Sequence, residues 1–502
     1  MNRAYKSSNL KMKTMFLFFV LTSFVQSLYS QTYYGKAGDC SWKYSNRTNE
    51  LIITGNGYIG ELKNNVAIGG SGDVEFQYRN QVTSIIINNG PTTIGNSVFE
   101  NFTNLKSVEI PESVTLIEDK AFCGCRQLPM VIIPQNVTSI GKFAFDNCGL
   151  ISVELHEGIT VIDENAFSNT KLKSVAIPES VTTIGYRAFY GCRDLNAVSI
   201  SKSVVSIGNQ SFFDCGLTSL TIPGNVKTIG ESAFGSCSEL SNLDIKEGVE
   251  IIGVSAFTRC DNLITVTIPI SVVSFNESFQ SCSGLNSVIF EDGLASVSKG
   301  AFKNCDNLKS VSIPESIKRI GDDSFSGCKQ LESVSIPESV VSIGSYAFSD
   351  CTSLLSIKIP ESITTINSNA FSGCSHLKYL SLPKNLTYIE NSAFANCPNI
   401  LDIYCYAEYV PKLTGSNVFY GSNIEYSILH VPQDAAEYYS SAPIWKNIHR
   451  IVPLKEEDYQ DYKDGKVGSR AYMKRVSDVN EDGNVDISDI VLIINVIANF
   501  SN

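Results

Sequence analysis

A pattern of 22 or 23 residues recurs fourteen times between residues 82 and 399 of this chain. Two clear copies are LKSVSIPESIKRIGDDSFSGCKQ, from Leu308, and LESVSIPESVVSIGSYAFSDCTS, from Leu331. A period in this range predicts a stacked solenoid, because each unit can bury its apolar side only against its neighbours. Such a solenoid presents an extended surface, so the first functional question is which partner binds to that surface. The copies begin at Val82, Leu105, Leu128, Leu150, Leu172, Leu195, Leu217, Leu240, Leu263, Leu285, Leu308, Leu331, Leu354 and Leu377.

The first third of each copy reads as a short strand. In the copy from Leu331, Val334 and Ile336 alternate with Ser333 and Ser335. This period of two places the apolar side chains inward and the serines outward. Pro337 has no N–H to donate to a ladder, so we expect the strand to end there.

The rest of each copy returns the chain to the next strand. Val340 and Ile343 form a second inward pair, and Gly344 supplies a turn. Ala347, Phe348 and Cys351 have the spacing of one helical turn packed on the interior. We therefore expect short helical or extended turns on the side opposite the strands.

Every copy contains a phenylalanine after a small residue, and we call this series the phenylalanine ladder. Its regular position among inward residues predicts a buried core row rather than an exposed stacking platform. The members are Phe99, Phe122, Phe145, Phe167, Phe189, Phe212, Phe234, Phe257, Phe279, Phe302, Phe325, Phe348, Phe371 and Phe394.

Twelve of the fifteen cysteines share one position of the repeat, which we call the cysteine slot. The slot holds Phe102 and Thr170 in the other two copies, and neither residue can pair with a neighbouring thiol. Stacked positions about 4.8 Å apart also exceed the mean Cβ separation of a disulfide, about 3.8 Å. We therefore expect free, buried thiols at Cys125, Cys148, Cys192, Cys215, Cys237, Cys260, Cys282, Cys305, Cys328, Cys351, Cys374 and Cys397.

The consensus LxxVxIPxxVxxIGxxAFxxC resembles the Treponema-type leucine-rich repeats of the BspA-like bacterial surface antigens, over residues 82–399. The segments GDCSWKYSNRTNELIITGNG, from Gly38, and HVPQDAAEYYSSAPIWKNI, from His430, are similar to that family's opening and closing segments. The resemblance implies a solenoid with a curved parallel β-sheet and β-rich caps, here at residues 31–81 and 400–453. It also implies adhesion to extracellular-matrix or plasma proteins.

The chain start and the overall charge indicate the compartment and exclude one class of partner. Lys11 and Lys13 precede an apolar run, and Ser30 marks a cleavage position, so residues 1–30 read as a secretory signal peptide. No later stretch is long and apolar enough to span a bilayer. We expect a secreted or cell-surface protein. The net charge of −12 argues against a nucleic-acid partner.

Acidic residues recur after the strand-ending position and would form a broken stripe along one rim. One interpretation is that the stripe is a solvated edge that keeps the protein soluble. The functional interpretation is that it attracts and orients a basic partner. The stripe comprises Glu112, Glu157, Glu179, Glu247, Asp292, Glu315, Glu338 and Glu361.

The outward strand positions should form a concave face on which an extended protein partner docks. Most of them are serine or another small residue, and almost none is aromatic, which disfavours a glycan platform on this face. The charged and aromatic side chains at these positions are the candidate binding residues. They are Glu109, Glu154, Asp244, Lys358 and Tyr379.

No catalytic motif appears in the chain. The four histidines, His156, His376, His430 and His449, fall in separate segments, and none pairs with Cys, Asp or Glu at metal-ligand spacing. GxSxG, HExxH and phosphate-binding glycine loops are also missing from the sequence. We expect a protein that is not an enzyme.

The tail differs from the repeats. Residues 454–470 are charged and polar and read as a linker. In residues 471–502, SDVNEDGNVDISD places oxygen ligands at the alternate positions of a calcium loop, with a glycine at position 6. The predicted Ca²⁺ ligands are Asp478, Asn480, Asp482, Asn484, Asp486 and Asp489.

This loop, followed by one apolar helix, resembles one half of a dockerin. The resemblance implies a cohesin-like module as partner, although a dockerin has two such halves. The alternative to a dockerin is a single terminal hairpin that bound Ca²⁺ stabilises. Two functions therefore remain open. One is an adhesion protein that holds a ligand on its repeats, and the other is a non-catalytic structural subunit recruited to an extracellular assembly through its tail.

Overall fold

A computed structural model describes residues 31–64 and 74–463. The fold is a parallel-sheet solenoid of about 16 turns with little helix. Contacts divide the chain after Leu217 into two compact units. The signal peptide, the predicted calcium ligands and the end of the predicted linker lie outside the described residues.

Unit 1 consists of short strands. In chain order they are β1 (Thr32–Gly38), β2 (Cys40–Ser45), β3 (Glu50–Thr54), β4 (Gly57–Asn64), β5 (Val74–Glu75), β6 (Ser84–Ile87), β7 (Pro91–Ile94), β8 (Ser107–Glu109), β9 (Leu116–Ile117), β10 (Met130–Ile132), β11 (Ser139–Ile140), β12 (Ser152–Glu154), β13 (Val161–Ile162), β14 (Ser174–Ala176), β15 (Thr183–Ile184), β16 (Ala197–Ser199) and β17 (Ser206–Ile207).

Unit 2 repeats this arrangement and adds two helices. Its elements are β18 (Ser219–Ile222), β19 (Thr228–Ile229), β20 (Asn242–Ile245), β21 (Ile251–Ile252), β22 (Thr265–Ile268), β23 (Ser287–Phe290), β24 (Ser296–Val297), β25 (Ser310–Ser312), β26 (Arg319–Ile320), β27 (Ser333–Ser335), β28 (Ser342–Ile343), β29 (Ser356–Lys358), β30 (Thr365–Ile366), β31 (Tyr379–Leu382), β32 (Tyr388–Ile389), β33 (Asp402–Cys405), β34 (Lys412–Leu413), β35 (Ile428–Val431), α1 (Ala436–Ser441), β36 (Arg450–Pro453) and α2 (Glu456–Lys463). Short 3₁₀ helices span Ile424–Tyr426, Gln433–Ala435 and Trp445–Asn447.

Each coil contributes to two parallel ladders. The predicted strand, such as β25, pairs in register with the same strand of the next coil, so that Ser310 lies opposite Ser333 and Val311 opposite Val334. A second, two-residue strand pairs in the same way, with Ile320 opposite Ile343. The inward side chains of Val311, Ile320 and Ile343 are buried and that of Val334 is half-buried, while the outward serines form a surface that we call the strand face.

The N-terminal cap begins both ladders of unit 1. Strands β1, β2 and β3 pair antiparallel, and β1 also pairs antiparallel with β4. Strand β3 then pairs parallel with β6, and β4 pairs parallel with β7. The cap therefore covers the edge that each ladder would otherwise expose, which protects it against edge-to-edge association.

The segment around the phenylalanine ladder consists of turns and not of the helical turn that the spacing predicted. Tyr346 and Asp350, on either side of Phe348, have left-handed backbones with φ of 58°. The Phe348 N–H donates to the carbonyl of Ala370 in the next coil, at 2.9 Å. Because these N–H groups bond to the neighbouring coil, they are not available for the i−4 bonds of a helix.

The phenylalanine ladder is a continuous core row within each unit. Neighbouring rings stack with centroids 5.1–5.6 Å apart in unit 1 and 5.3–5.7 Å apart in unit 2. Phe99, Phe122 and Phe145 are fully buried, as the repeat pattern predicted.

The cysteine slot holds free thiols, as predicted, and it has a bonding role that the sequence did not reveal. Eleven thiols of the slot donate to the carbonyl of the ladder phenylalanine in the preceding coil, at 3.0–3.5 Å. The donors are Cys125, Cys148, Cys192, Cys215, Cys260, Cys282, Cys305, Cys328, Cys351, Cys374 and Cys397.

The two exceptions in this slot have local causes. Phe102 stacks on Phe76 of the N-terminal cap, with centroids 5.9 Å apart, and so fills the end of the first coil. Thr170 donates its hydroxyl to the carbonyl of Phe167 at 2.9 Å and lies 3.1 Å from the sulfur of Cys192.

The three cysteines outside the slot are also free. Cys40 and Cys405 are buried, and the Cys405 sulfur lies 3.2 Å from the hydroxyl of Tyr439. Cys123 is half-buried, and its sulfur lies 3.8 Å from a carboxylate oxygen of Asp146.

The coils continue beyond residue 399, where the sequence pattern ended. Strands β33 and β34 form a further coil, and Phe419 extends the phenylalanine ladder at 5.7 Å from Phe394. Ser422 occupies the cysteine slot and donates its hydroxyl to the Phe394 carbonyl at 2.6 Å. The longer spacing of this coil hid it from the sequence period. Trp445 and Tyr439 then pack edge to face beyond Phe419 and close the core.

The buried thiols predict a loss of stability in alkali. Burial raises the pKa of Cys282 and Cys328 from 9.0 to about 12. The folded protein holds these protons more tightly than the unfolded chain, so their contribution is complete below pH 9 and is lost as the pH rises through 12. Urea denaturation across this range should show a falling free energy of unfolding. The variant Cys282→Ala/Cys328→Ala should show a shallower fall, and an unchanged slope would contradict the assignment.

Candidate interaction surface on the strand face

The strand face of unit 1 carries a row of serine hydroxyls at the first outward position of most strands. Ser107 of β8 donates to Ser84 of β6, with oxygen atoms 3.1 Å apart, so neighbouring hydroxyls bond to one another. These small, mutually bonded side chains leave the face shallow. Any specific recognition must therefore come from the larger side chains that interrupt the row.

One such interruption is an apolar patch on β10. Met130 and Ile132 both point outward, and their exposed fractions are 55% and 65%. Ile132 lies opposite Glu154 of β12, and β8, which carries Glu109, runs along the other side of β10. Strands about 4.8 Å apart place Glu109 and Glu154 on the two flanks of Ile132. We call Glu109, Met130, Ile132 and Glu154 the β10 patch.

The two carboxylates of the β10 patch are available to a partner. Glu109 and Glu154 are both exposed, and neither forms an ion pair with the residues that the structure describes. The patch therefore combines exposed apolar area with two negative charges. It is complementary to a segment that carries both apolar and basic side chains.

The charged candidates of unit 2 are already paired within the molecule. Asp244 forms an ion pair with Lys246 at 2.7 Å, and Lys358 forms one with Glu338 at 2.9 Å. The Lys358 side chain is only 21% exposed, because it lies along this contact. Both charges are partly neutralised, so they offer a partner less than Glu109 and Glu154 do.

Tyr379 is buried in the structure, with 6% of its surface exposed, although it was predicted on an open binding face. It lies opposite Asp402 of β33, which is 2% exposed. In the following coils Tyr404 stacks on His430 at 4.2 Å, and His430 contacts Asp402 at 3.0 Å. Bulky side chains thus replace the serines at this end of the face.

The chain after β36 folds back over this end of the strand face. Residues 456–463 form helix α2, although residues 454–470 were predicted to be a linker. Leu454 and Tyr459 pack on Tyr404 and Tyr406. The Tyr406 hydroxyl donates to the carbonyl of Asp458 at 2.9 Å, which fixes the helix to the sheet.

The phenols beneath α2 are strongly desolvated. Burial raises the pKa of both Tyr404 and Tyr406 well above the ordinary value of 10.0, and the nearby Asp458 carboxylate raises both further. The sequence signal for this covered surface was available, because DIYCYAEY, from Asp402, places Tyr404 where many earlier coils have serine and Tyr406 where they have proline.

The acidic stripe has a structural role in at least three coils. Glu157 accepts the backbone N–H of Glu179 at 3.1 Å and that of Ser180 at 2.8 Å. These backbone bonds hold the pKa of Glu157 below its usual value. Glu338 accepts from the N–H of Glu361 at 2.8 Å, and Glu361 accepts from that of Lys384 at 3.2 Å. The stripe therefore joins neighbouring coils as well as adding charge.

Among residues 31–64 and 74–463, no helix combines the length and apolarity needed to cross a membrane. In the same residues, no group of three or more His, Cys, Asp or Glu side chains is placed to hold a metal ion. The predicted Ca²⁺ ligands, Asp478 to Asp489, lie outside these residues.

The stacked parallel strands and the repeated core define a leucine-rich-repeat solenoid. A family model described as "BspA type Leucine rich repeat region (6 copies)" matches residues 71–196, 160–286 and 295–425, more than half of the chain. The chain therefore belongs to the BspA-type leucine-rich-repeat family. No curated protein matches it.

Solved structures of bacterial leucine-rich repeat proteins are similar to this chain. One from Bacteroides ovatus is 26% identical, covers 79% of this chain and 99% of its own, and has a TM-score of 0.63. One from Eubacterium ventriosum is 26% identical over 68% of this chain and 95% of its own, with a TM-score of 0.44. A leucine-rich cell surface protein from Faecalibacterium prausnitzii is 22% identical over 86% and 97%, with a TM-score of 0.29. The likeness to the first supports the fold.

The contacts of α2 predict that its removal uncovers the end of the strand face. Replacing Leu454 and Tyr459 by alanine removes the apolar contacts with Tyr404 and Tyr406. We expect protease cleavage after residue 453 to become at least about tenfold faster, because local opening then costs less. The control is Glu456→Ala, on the same helix. Equal cleavage rates in wild type and the double variant would contradict this packing.

Proposed function

We propose that this protein is an exported bacterial binding protein that holds a protein partner on its strand face. Membership of the BspA-type family and the repeated, surface-forming architecture support a binding function. The signal-peptide pattern of residues 1–30 supports a secreted or cell-surface location. The proposal involves no catalytic step, in keeping with a sequence that lacks catalytic motifs.

The β10 patch is the observation that carries the proposal. It is an exposed apolar spot on a face whose first outward positions are mostly serine, and carboxylates flank it. The partner that fits is an extended protein segment with an apolar residue between basic residues. Its apolar residue would cover Met130 and Ile132, and its basic residues would reach Glu109 and Glu154.

Binding of synthetic peptides to the secreted chain tests this proposal. The probes are extended peptides in which Lys or Arg alternates with Leu or Val, and charge-reversed peptides with Glu in place of Lys serve for comparison. We expect the basic peptides to bind, and their affinity to fall as salt is added, because exposed charges are screened. Preference for the acidic peptides, or no binding by either set, would refute the proposal.

Variants separate the two parts of the patch. Met130→Ser/Ile132→Ser replaces both exposed apolar side chains by small hydroxyl side chains and should weaken binding at least about tenfold through lost apolar contact. Glu109→Gln/Glu154→Gln should abolish most of the salt dependence. The matched control is Ile289→Ser, because Ile289 occupies the same strand position in unit 2 and is 51% exposed. If the control weakens binding as much as the patch variants, the β10 patch is not the site.

We also propose that the loop from Asp478 to Asp489 binds Ca²⁺ and that the tail recruits the protein to a cohesin-like module. The support is the spacing of oxygen ligands in the sequence. Calorimetric titration of the full chain with CaCl₂ should give one site, and Asp478→Ala/Asp482→Ala should lose it. No heat at millimolar Ca²⁺ would refute the metal site. Retained tail-dependent binding to a cohesin in the variant would separate the two parts of the proposal.

A further inference from the structure

A recess in unit 1 results from a change in loop length. In most coils two residues join the cysteine slot to the next leucine, as Arg193 and Asp194 do. In the two coils before this one a single residue makes the connection, Gly149 in the first and Lys171 in the second. The loop with Arg193 and Asp194 therefore projects beyond the loop of the coil before it.

The change in length breaks a row of contacts between loops. Where two-residue loops are neighbours they bond to each other. Gln330 donates to Asn307 at 2.8 Å, and Lys329 pairs with Asp306 at 3.0 Å. The loop before Asp194 lacks the matching residue. Accordingly, neither Asp194 nor Lys171 has a side-chain hydrogen bond or ion pair with the residues that the structure describes.

These unmatched side chains line an open cavity of about 520 Å³. Arg193 pairs with Asp214 at 2.9 Å across its rim, and the Arg193 side chain is 79% exposed. A cavity of this size lies within the range of small-molecule sites. The lining side chains that can contact a ligand are Asn169, Lys171, Tyr190, Arg193, Asp194 and Asp214.

The cavity has a rigid aromatic wall. The position after each ladder phenylalanine is small in many coils, such as Ser168 and Gly235, but here it is Tyr190. Tyr190 stacks on Phe213 of the next coil with centroids 5.4 Å apart and planes 8° apart. The guanidinium of Arg187 lies 4.8 Å from the Tyr190 ring centre. These contacts hold the ring in place before any ligand arrives.

The chemistry of the wall and rim selects one class of ligand. Asn169, Lys171 and Arg193 provide donors, while Asp194 and Asp214 provide acceptors, which suits hydroxyl groups that both donate and accept. The two cations balance the two carboxylates, which disfavours a strongly anionic ligand. An aromatic ring beside such polar groups suits the C–H face of a sugar. We propose that this cavity binds a neutral pyranose unit of a glycan.

The residues that line this cavity belong to the turns and loops between the strands, and none of them belongs to the β10 patch. The two surfaces can therefore be tested independently. The full-length secreted chain is first screened on a glycan array. Saturation-transfer NMR titrations then use the methyl glycosides of glucose, galactose, mannose and N-acetylglucosamine. We expect at least one of these to bind with a Kd of about 1 mM, as for an open site with few contacts.

Two variants locate the binding. Tyr190→Ala removes the aromatic wall, and Asp194→Asn removes an acceptor from an exposed loop whose fold does not depend on it. Each should weaken binding at least about tenfold. The matched control is Tyr420→Ala, because Tyr420 follows Phe419 in the same position of its coil, is 69% exposed and does not line this cavity.

Several results would overturn the proposal. One is that no array glycan and no methyl glycoside binds. Another is that Tyr420→Ala weakens binding as much as Tyr190→Ala. A third is that glycine or another free amino acid occupies the cavity in place of the sugars, because the paired charges would then be recognising a zwitterion. Loss of binding in Asp194→Asn with an unchanged thermal melt would support the site.

Discussion

The stacking of the coils depends on the backbone of the ladder phenylalanine. In Phe348, for example, the N–H donates to Ala370 of the next coil, and the carbonyl accepts the thiol of Cys374 from that coil. The ring stacks on its neighbours at the same time. The same carbonyl also accepts the N–H of Cys351 in its own coil at 3.4 Å, so the thiol is a second donor that joins neighbouring coils. Cysteine supplies a compact apolar one, and Ser422 supplies the same bond with a hydroxyl.

These bonds between neighbouring coils do not involve the outward strand positions, so the outward residues can vary. Their roles differ along the chain. Glu109 and Glu154 flank an exposed apolar patch in unit 1. In unit 2, Asp244 and Lys358 are held in ion pairs, and Tyr379 is buried beside a surface that α2 covers. The same strand position can thus serve recognition, local charge balance or packing. Which of these applies depends on the neighbours that the fold brings to it.

Departures from the repeat are more informative than the repeat itself. The exposed apolar side chains of Met130 and Ile132 create the β10 patch, and the loss of one residue beside Lys171 opens the cavity. The acidic stripe shows the opposite case, since a regular pattern of charge proved to include glutamates that bond to the next coil. Regular positions mainly build the solenoid, and irregular ones are where we place binding.

The sequence by itself determined the solenoid, its inward rows and the free state of the cysteines, because a strict period forces equivalent residues into equivalent contacts. It did not show the coil containing Phe419, whose longer spacing breaks the period, or the turn geometry around Phe348, which depends on bonds to the next coil. It also missed the packing of α2 on Tyr404 and Tyr406 and the cavity beside Tyr190. Those features join residues from different coils or from outside the repeats, and only the tertiary structure decides which of them meet.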